Sequence, residues 1–439
     1  MKEQLLTYMV GWMLLALATI VIYNFRIKYS VGLVSALISC SFIEYFSGAF
    51  VHVLPWWFSE NTFFTFVGFR QVFIGLVGFF VGSAVIAPFF LKVRSLKKRQ
   101  VLLNPRLAIA GIFFGLLFYL KFPFSEIPTI RVIPIVSWSF MVCSVCLLGY
   151  LGYYLNNFRL FLFSLILALF FPIYSIFNLG FLGYGALAFV VIIIFISVFF
   201  RPRVVMVIFT IVVVYLGLSL YVTYMRDRDI IRSEVWYKQD TGYGGIKGLF
   251  KDFEFFDPHN QKHLISIEGR LNQASLVGMV VYNLEQGYQK FAQGELFFSS
   301  LFSIIPRIIW PEKPFFAGES TLVSKYTGLT FAYGTSVGTG LVMEFFIDYG
   351  SPFVFLGYLI LGLLLAIFDV KARISLENGD WKKFYLYFLL GINMLGSLAT
   401  ERELIMTVGS VVIFYFVIIK FVFPRLVKLK NQFISSKNK

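Results

Sequence analysis

The feature that most restricts this chain is a series of apolar runs, most of them about twenty residues long. A hydrocarbon layer of about 30 Å takes about 20 residues of helix to cross, and backbone polar groups inside it must be bonded within the segment. Such runs lie near 5–25, 31–54, 67–91, 104–120, 132–155, 158–177, 181–200 and 204–224. After a long gap, others lie near 351–369, 384–400 and 404–423. The pattern predicts an all-α polytopic membrane protein with about eleven transmembrane helices, of which 104–120 and 384–400 are the shortest. The count becomes thirteen if two apolar stretches in the gap also cross, since flanking charge fixes the parity. Composition points the same way: 59% of residues are apolar and 14% charged, against about 25% charged in soluble domains. A soluble core cannot enclose that surface. A cytosolic enzyme, a disordered chain, a disulfide scaffold and a nucleic-acid binder are excluded.

Charge orients the spans. With the 92–106 loop on the cytoplasmic side, alternation places 20 Lys and Arg residues on that side and 4 in the short segments opposite. Basic residues concentrate on the cytoplasmic flanks of membrane helices, so the +15 net charge needs no nucleic-acid partner. Only Lys2 precedes the first apolar run, and no convincing cleavage site comes after it; a retained helix is expected. The organisation expected is a membrane bundle over 1–224 and an extracytoplasmic segment over 225–350. A second bundle is expected over 351–423, then a basic cytoplasmic tail over 424–439. Cys40, Cys143 and Cys146 all lie in apolar runs. The C-x-x-C spacing of the last two has no accompanying His or second Cys pair, so helix packing is the expected role. No metal and no cofactor is expected.

The 225–350 segment differs in kind. From Arg226 to Asp348 there are 12 basic and 14 acidic residues, while the rest of the chain holds 26 basic and only 9 acidic ones. The Gly242–Gly248 patch lacks the phosphate-loop pattern and reads as a flexible turn. His259 and His263 stand four apart, but Pro258 and the missing H-E-x-x-H argue for an interfacial or sugar-contacting pair rather than zinc. Leu271, Ala274, Val277, Val281 and Leu284 match helical spacing, and Leu296–Ile309 is a short apolar run. Both predict short amphipathic or re-entrant helices at the outer membrane face. Three prolines in IPRIIWPEKP, residues 305–314, predict an extended strap that presents Arg307 and Lys313, with Trp310 at interfacial depth. The stretch 315–350 is rich in Gly, Ser and Thr. It carries Glu319, Tyr333 and Glu344 and reads as one wall of a site. Within the first spans, Glu44 and Arg70 are expected to pair across adjacent helices, lining of a lipid-carrier groove being the other reading; His52 lies near them.

The IPRIIWPEKP strap, continued by a Ser/Thr-Gly-rich stretch ending in MEFFIDYG-x-P before a membrane span, resembles the signature of bacterial O-antigen polymerases (the Wzy class). The resemblance covers roughly 268–365. The related O-antigen ligases carry a His-[Asn/Ser/Gln] pair some nine residues before a Gly. Here eight residues separate His259-Asn260 from Gly269, and the residues beyond that glycine do not fit the ligase pattern, so polymerase is preferred to ligase. The resemblance implies a glycosyltransferase class C-like helical bundle in the bacterial inner membrane. It would join undecaprenyl-pyrophosphate-linked repeat units outside the cytoplasm, with a chain-length regulator and a flippase of the same pathway as partners.

That chemistry builds negative charge on a departing pyrophosphate, which fixed guanidinium groups stabilise. Arg270, Arg307 and Arg402 are therefore the candidate cations, the first two being the expected catalytic ones. The proton acceptor is open among Glu268, Glu319 and Glu344, with Glu268, two residues from Arg270, leading. Lys313, Arg402, Glu319, Tyr333, Glu344, His259 and Trp310 are the expected substrate contacts. The competing readings are a flippase for lipid-linked oligosaccharide and an O-antigen ligase. A transporter is expected to show related halves with charges deep in both, and neither is visible.

Overall fold

The computed structural model describes the chain except residues 28, 92–103, 121–131, 200–202, 240, 243, 304, 306–309, 311, 313–318, 332–336, 397–399 and 423–439. It also leaves out the side chains of 24–26, 132, 133, 135, 203–211, 246, 319, 421 and 422. No strand occurs among the described residues. The helices before the long segment are α1 (Lys2–Val21), α2 (Leu33–Val51), α3 (Thr62–Phe90), α4 (Pro105–Leu120), α5 (Val132–Tyr154), α6 (Phe158–Leu179), α7 (Gly183–Phe199) and α8 (Arg203–Tyr237). Within it come α9 (Ile246–Lys251), α10 (Gln261–Leu271), α11 (Gln273–Glu285), α12 (Glu295–Phe302), α13 (Glu319–Thr327) and α14 (Gly340–Tyr349), and then α15 (Ser351–Glu377), α16 (Trp381–Ile392) and α17 (Glu401–Lys420).

Among the described residues seven helices are long and apolar enough to cross a membrane: α1, α2, α3, α5 from Val136, α6, α15 and α17. α4 and α7 are apolar but shorter, at 16 and 17 residues. The run expected over 384–400 is not one helix: α16 stops at Ile392. Asn393 stops it by turning its amide back to the Leu389 carbonyl (2.8 Å) while accepting from Ser139 (3.0 Å). Side-chain amides that bond nearby backbone compete with helix continuation.

Segments expected on one side of the membrane meet each other. Lys2 Nζ donates to the carbonyls of Leu54 (3.0 Å) and Trp57 (2.6 Å). Tyr224 and Arg232 at the far end of α8 bond the Gly180 carbonyl between α6 and α7. At the opposite end, Asp369 caps α2, accepting from Ser30 Oγ (2.6 Å), Val31 N (3.0 Å) and Leu33 N (2.9 Å). The Arg373 guanidinium lies 4.1 Å from the Phe199 ring there.

The long segment is not a peripheral layer throughout. The apolar face read for α11 is buried, with Ala274, Val277 and Val281 fully enclosed, but it packs against α3 rather than lying on the membrane surface. Main chains touch at the crossing. A Cβ on Gly68 would lie 1.9 Å from the Ala274 carbonyl oxygen, and one on Gly278 1.8 Å from that of Phe64. Small residues permit such contact between membrane helices. In α14, every residue from Gly340 to Asp348 is buried. Arg70 does not pair with Glu44; its Nη2 lies 3.3 Å from Glu285 of α11, because the α3–α11 crossing brings that carboxylate closer.

Candidate active site

α8 is 35 residues long, about 50 Å at 1.5 Å per residue. Its C-terminal half packs on the turn between α6 and α7, with Ile231 buried against Ile176. Three contacts tie α8 to the next stretch of chain. Tyr221 Oη donates to the Ser266 carbonyl (3.1 Å), Phe256 N donates to Ser219 Oγ (3.0 Å), and Arg226 Nη1 donates to the Asp252 carbonyl (2.7 Å). α10 is thereby laid against α8, its start capped by Asn260, whose side chain accepts from Lys262 N at 3.0 Å.

This packing gathers three arginines. Arg228 and Arg232 stand one turn apart on α8, and Arg270 lies at the end of α10. Desolvation, together with the Arg228 charge, holds the Arg270 guanidinium below its ordinary value. Desolvation and the charges of Arg228 and Arg270 do the same to Arg232. Their neutralisation is uneven. Arg226 is fully engaged, by Asp227 at 2.7 Å and Glu254 at 2.6 Å. Arg232 donates to the Gly180 carbonyl (3.1 Å) and covers the rings of Phe181 and Trp236. Among the described residues Arg228 has only its neighbour Asp229, at 3.8 Å and 94% exposed. The Arg270 guanidinium has no hydrogen bond or ion pair among the described residues. Cations that repel one another, with one left uncompensated, form a place prepared for an anion.

Beside Arg270, Glu268 meets His52 from the end of α2, with Nε2–Oε1 at 3.4 Å. His52 is fully enclosed and Glu268 is 17% exposed, so the carboxylate forms the accessible part. The hydrogen bond to His52 holds the Glu268 carboxyl below its ordinary value, ahead of the opposing effect of burial. Thr62 Oγ1 lies 3.0 Å from His52 Nδ1 and donates to the Ser59 carbonyl (2.8 Å). Asn272 Nδ2 lies 3.0 Å from His52 Nε2 and 2.9 Å from Thr65 Oγ1.

The histidine pair divides. His263 is buried, its Nε2 3.0 Å from Glu254 and its Nδ1 accepting from Asp257 N at 3.1 Å. His259 is exposed and lies on Trp56, with ring centroids 4.6 Å apart. Among the described residues no three His, Cys, Asp or Glu side chains gather as a metal site. Cys143 and Cys146 are buried free thiols on α5.

Glu344 is enclosed rather than presented. It accepts from Thr339 Oγ1 (2.8 Å) and from Glu401 N (2.6 Å), so it caps α17. Burial pushes its carboxyl up to about 7. Asp348 caps α12 in the same way through Phe297 N (2.9 Å) and Leu296 N (3.2 Å). Arg402 is half-buried in the first turn of α17, next to the capping box formed by Thr400 and Glu403. Trp310 meets the Phe302 ring at 6.0 Å. Arg307, Lys313, Tyr333 and the side chain of Glu319 lie outside the described residues.

The structure thus brings Arg270 and Glu268 together with three residues that the sequence did not assign to the site: Arg228, Arg232 and His52. The i, i+4 spacing of the two α8 arginines, just past the apolar run at 204–224, was the available signal. His52 stood out only as an ionisable residue beside the first spans; its link to Asn272, 220 positions away, had no signal. No family model, curated protein or solved structure matches this chain.

Proposed function

We propose that this chain is a membrane glycosyltransferase. In this reading it polymerises undecaprenyl-pyrophosphate-linked oligosaccharide units into O-antigen or a similar surface polysaccharide. It spans the inner membrane about eleven times, and the α8–α10 site faces the extracytoplasmic side. The observation that carries the reading is the cluster of Arg228, Arg232 and Arg270, whose last guanidinium pairs with none of the described residues, next to the partly exposed Glu268 carboxylate. Arginine stays charged and grips phosphate oxygens through paired donors.

The chemistry is set by those groups. A hydroxyl of the acceptor glycan attacks the anomeric carbon of the donor while its proton passes to Glu268. The C1–O bond to the pyrophosphate breaks, and the electron pair leaves with the diphosphate. The arginines stabilise the charge that develops there, an effect that a partly desolvated site strengthens. The resemblance of residues 268–365 to the polymerases supports the acceptor being a second carrier-linked unit.

The test is reconstitution in nanodiscs with a synthetic pyrophosphate-linked repeat unit, read as a ladder of products. Wild type is expected to extend the unit, and Arg270→Ala to slow extension by about 100-fold or more at equal protein level. A wild type that forms no polymer but carries the lipid across a bilayer overturns the reading. So does an Arg270→Ala variant that polymerises at the wild-type rate.

A further inference from the structure

His52 cannot touch a substrate, since none of its surface is exposed. Its surroundings nevertheless fix it more tightly than packing requires. The Thr62 hydroxyl gives its hydrogen to the Ser59 carbonyl at 2.8 Å. The same hydroxyl oxygen lies 3.0 Å from His52 Nδ1, which fixes the rotation of the ring. The other ring nitrogen, Nε2, is thereby turned toward α10, 3.4 Å from Glu268 Oε1 and 3.0 Å from Asn272 Nδ2.

The frame beneath is rigid. A Cβ on Gly48, one turn before His52, would lie 2.3 Å from the Asn272 backbone nitrogen. The main chain of α2 is thus pressed onto the α10–α11 junction. Asn272 is itself tied to Thr65 of α3 at 2.9 Å. Three helices and the junction therefore set the distance between the imidazole and the carboxylate. Only the carboxylate opens to the exterior, and it sits two residues from Arg270.

We propose that His52 is a positioning residue for Glu268, and that the two act as a dyad in which Glu268 alone meets the acceptor hydroxyl. This rests on the glycosyl-transfer reading above. In the transfer step the acceptor O–H bond breaks and its proton goes to Glu268, the new C1–O bond forms, and the diphosphate departs with the electron pair of the old bond. His52 takes no part in the bond changes. It holds the Glu268 carboxylate in the attacking geometry, so its removal lowers turnover rather than substrate affinity.

The experiment is steady-state extension of the pyrophosphate-linked unit by full-length protein in nanodiscs, with kcat and KM separated. His52→Leu is expected to lower kcat about 30-fold, within the range of acid–base contributions, with KM within about twofold. His52→Gln, which restores a polar nitrogen near the Nε2 position, is expected to recover most of that loss. Thr62→Val, which frees the ring to turn, is expected to lower kcat about fivefold. The double variant His52→Leu/Glu268→Gln is expected to be no slower than Glu268→Gln alone, because the two act as a unit. If His52→Leu does not fold, Thr62→Val decides. Wild-type kcat in Thr62→Val overturns the proposal, as does a His52→Leu effect that multiplies independently with Glu268→Gln. An inactive Arg270→Ala beside a fully active His52→Leu overturns the dyad alone. Absence of transfer by wild type overturns the underlying reading, and the dyad with it.

Discussion

The two ends of the bundle treat charge in opposite ways. At one end the Asp369 carboxylate is fully enclosed, yet it receives three hydrogen bonds, from Ser30, Val31 and Leu33. At the other, Arg270 is exposed and receives nothing from the described residues, while Arg228 and Arg232 crowd it with like charge. A buried charge with its donors in place is a structural fastening. A cluster of like charges left open keeps free energy in reserve for a ligand of opposite sign. The contrast separates residues whose loss unfolds the protein from residues whose loss silences it.

The comparison breaks most sharply at Arg270. The paired variant Arg228→Ala/Arg270→Ala is expected to lose transfer by about 10³-fold. Its melting temperature in nanodiscs should not fall, because like-charge repulsion is relieved. A large drop in thermal stability with retained turnover per folded molecule would place the arginines with the fastenings. Asp369→Ala is the mirror experiment. It strands three buried donors and is expected to cost about 3 kcal/mol of stability. The molecules that remain folded, counted by size-exclusion chromatography, should keep wild-type turnover.

Glu344 refines the contrast with pH. Its folded-state value of about 7 lies above its ordinary 4.5. Folded Glu344 therefore keeps a proton that the unfolded chain releases. The Glu344 contribution should be greatest below pH 4.5, fall as pH rises toward 7 by up to about 3 kcal/mol, and be level above that, while Glu401 beside it, which burial and the Glu344 charge push up to about 9, extends the loss to higher pH. Glu344→Gln should flatten the curve over that window, and a curve of unchanged slope would show that Glu344 does not titrate there. The smallest effect is expected at His259, whose exposed ring rests on Trp56. His259→Ala should change KM for the glycan unit by about threefold or less, measured by the same extension assay.

The membrane character of the chain was legible because it is a matter of run length and composition, and both survive without knowledge of neighbours. The apolar face of α11 was legible for the same reason. Its packing partner was not: Gly68 and Gly278 reveal a close crossing only when both helices are in view. α16 shows the limit of hydropathy. The 384–400 run is apolar enough, yet Asn393 ends the helix by bonding its own turn and Ser139. At the site, Glu268 and Arg270 were readable as near neighbours in sequence. Glu344 was readable as an acid in a Gly-rich wall, but its engagement with Thr339 and the start of α17 depends on a contact 57 residues away. Arg228 and Arg232 looked like ordinary charges beyond a span, and only the docking of α10 onto α8 gives them a common purpose.

The central claim is that the arginines at the α8–α10 junction grip a diphosphate. The direct measurement is equilibrium binding of a short-chain polyprenyl diphosphate to the purified protein in nanodiscs, by titration calorimetry at low and high salt. The account predicts that Arg270→Ala weakens the diphosphate by about tenfold or more, that the monophosphate binds wild type about as weakly, and that added salt narrows the difference. Equal affinity of wild type and Arg270→Ala for the diphosphate would contradict it.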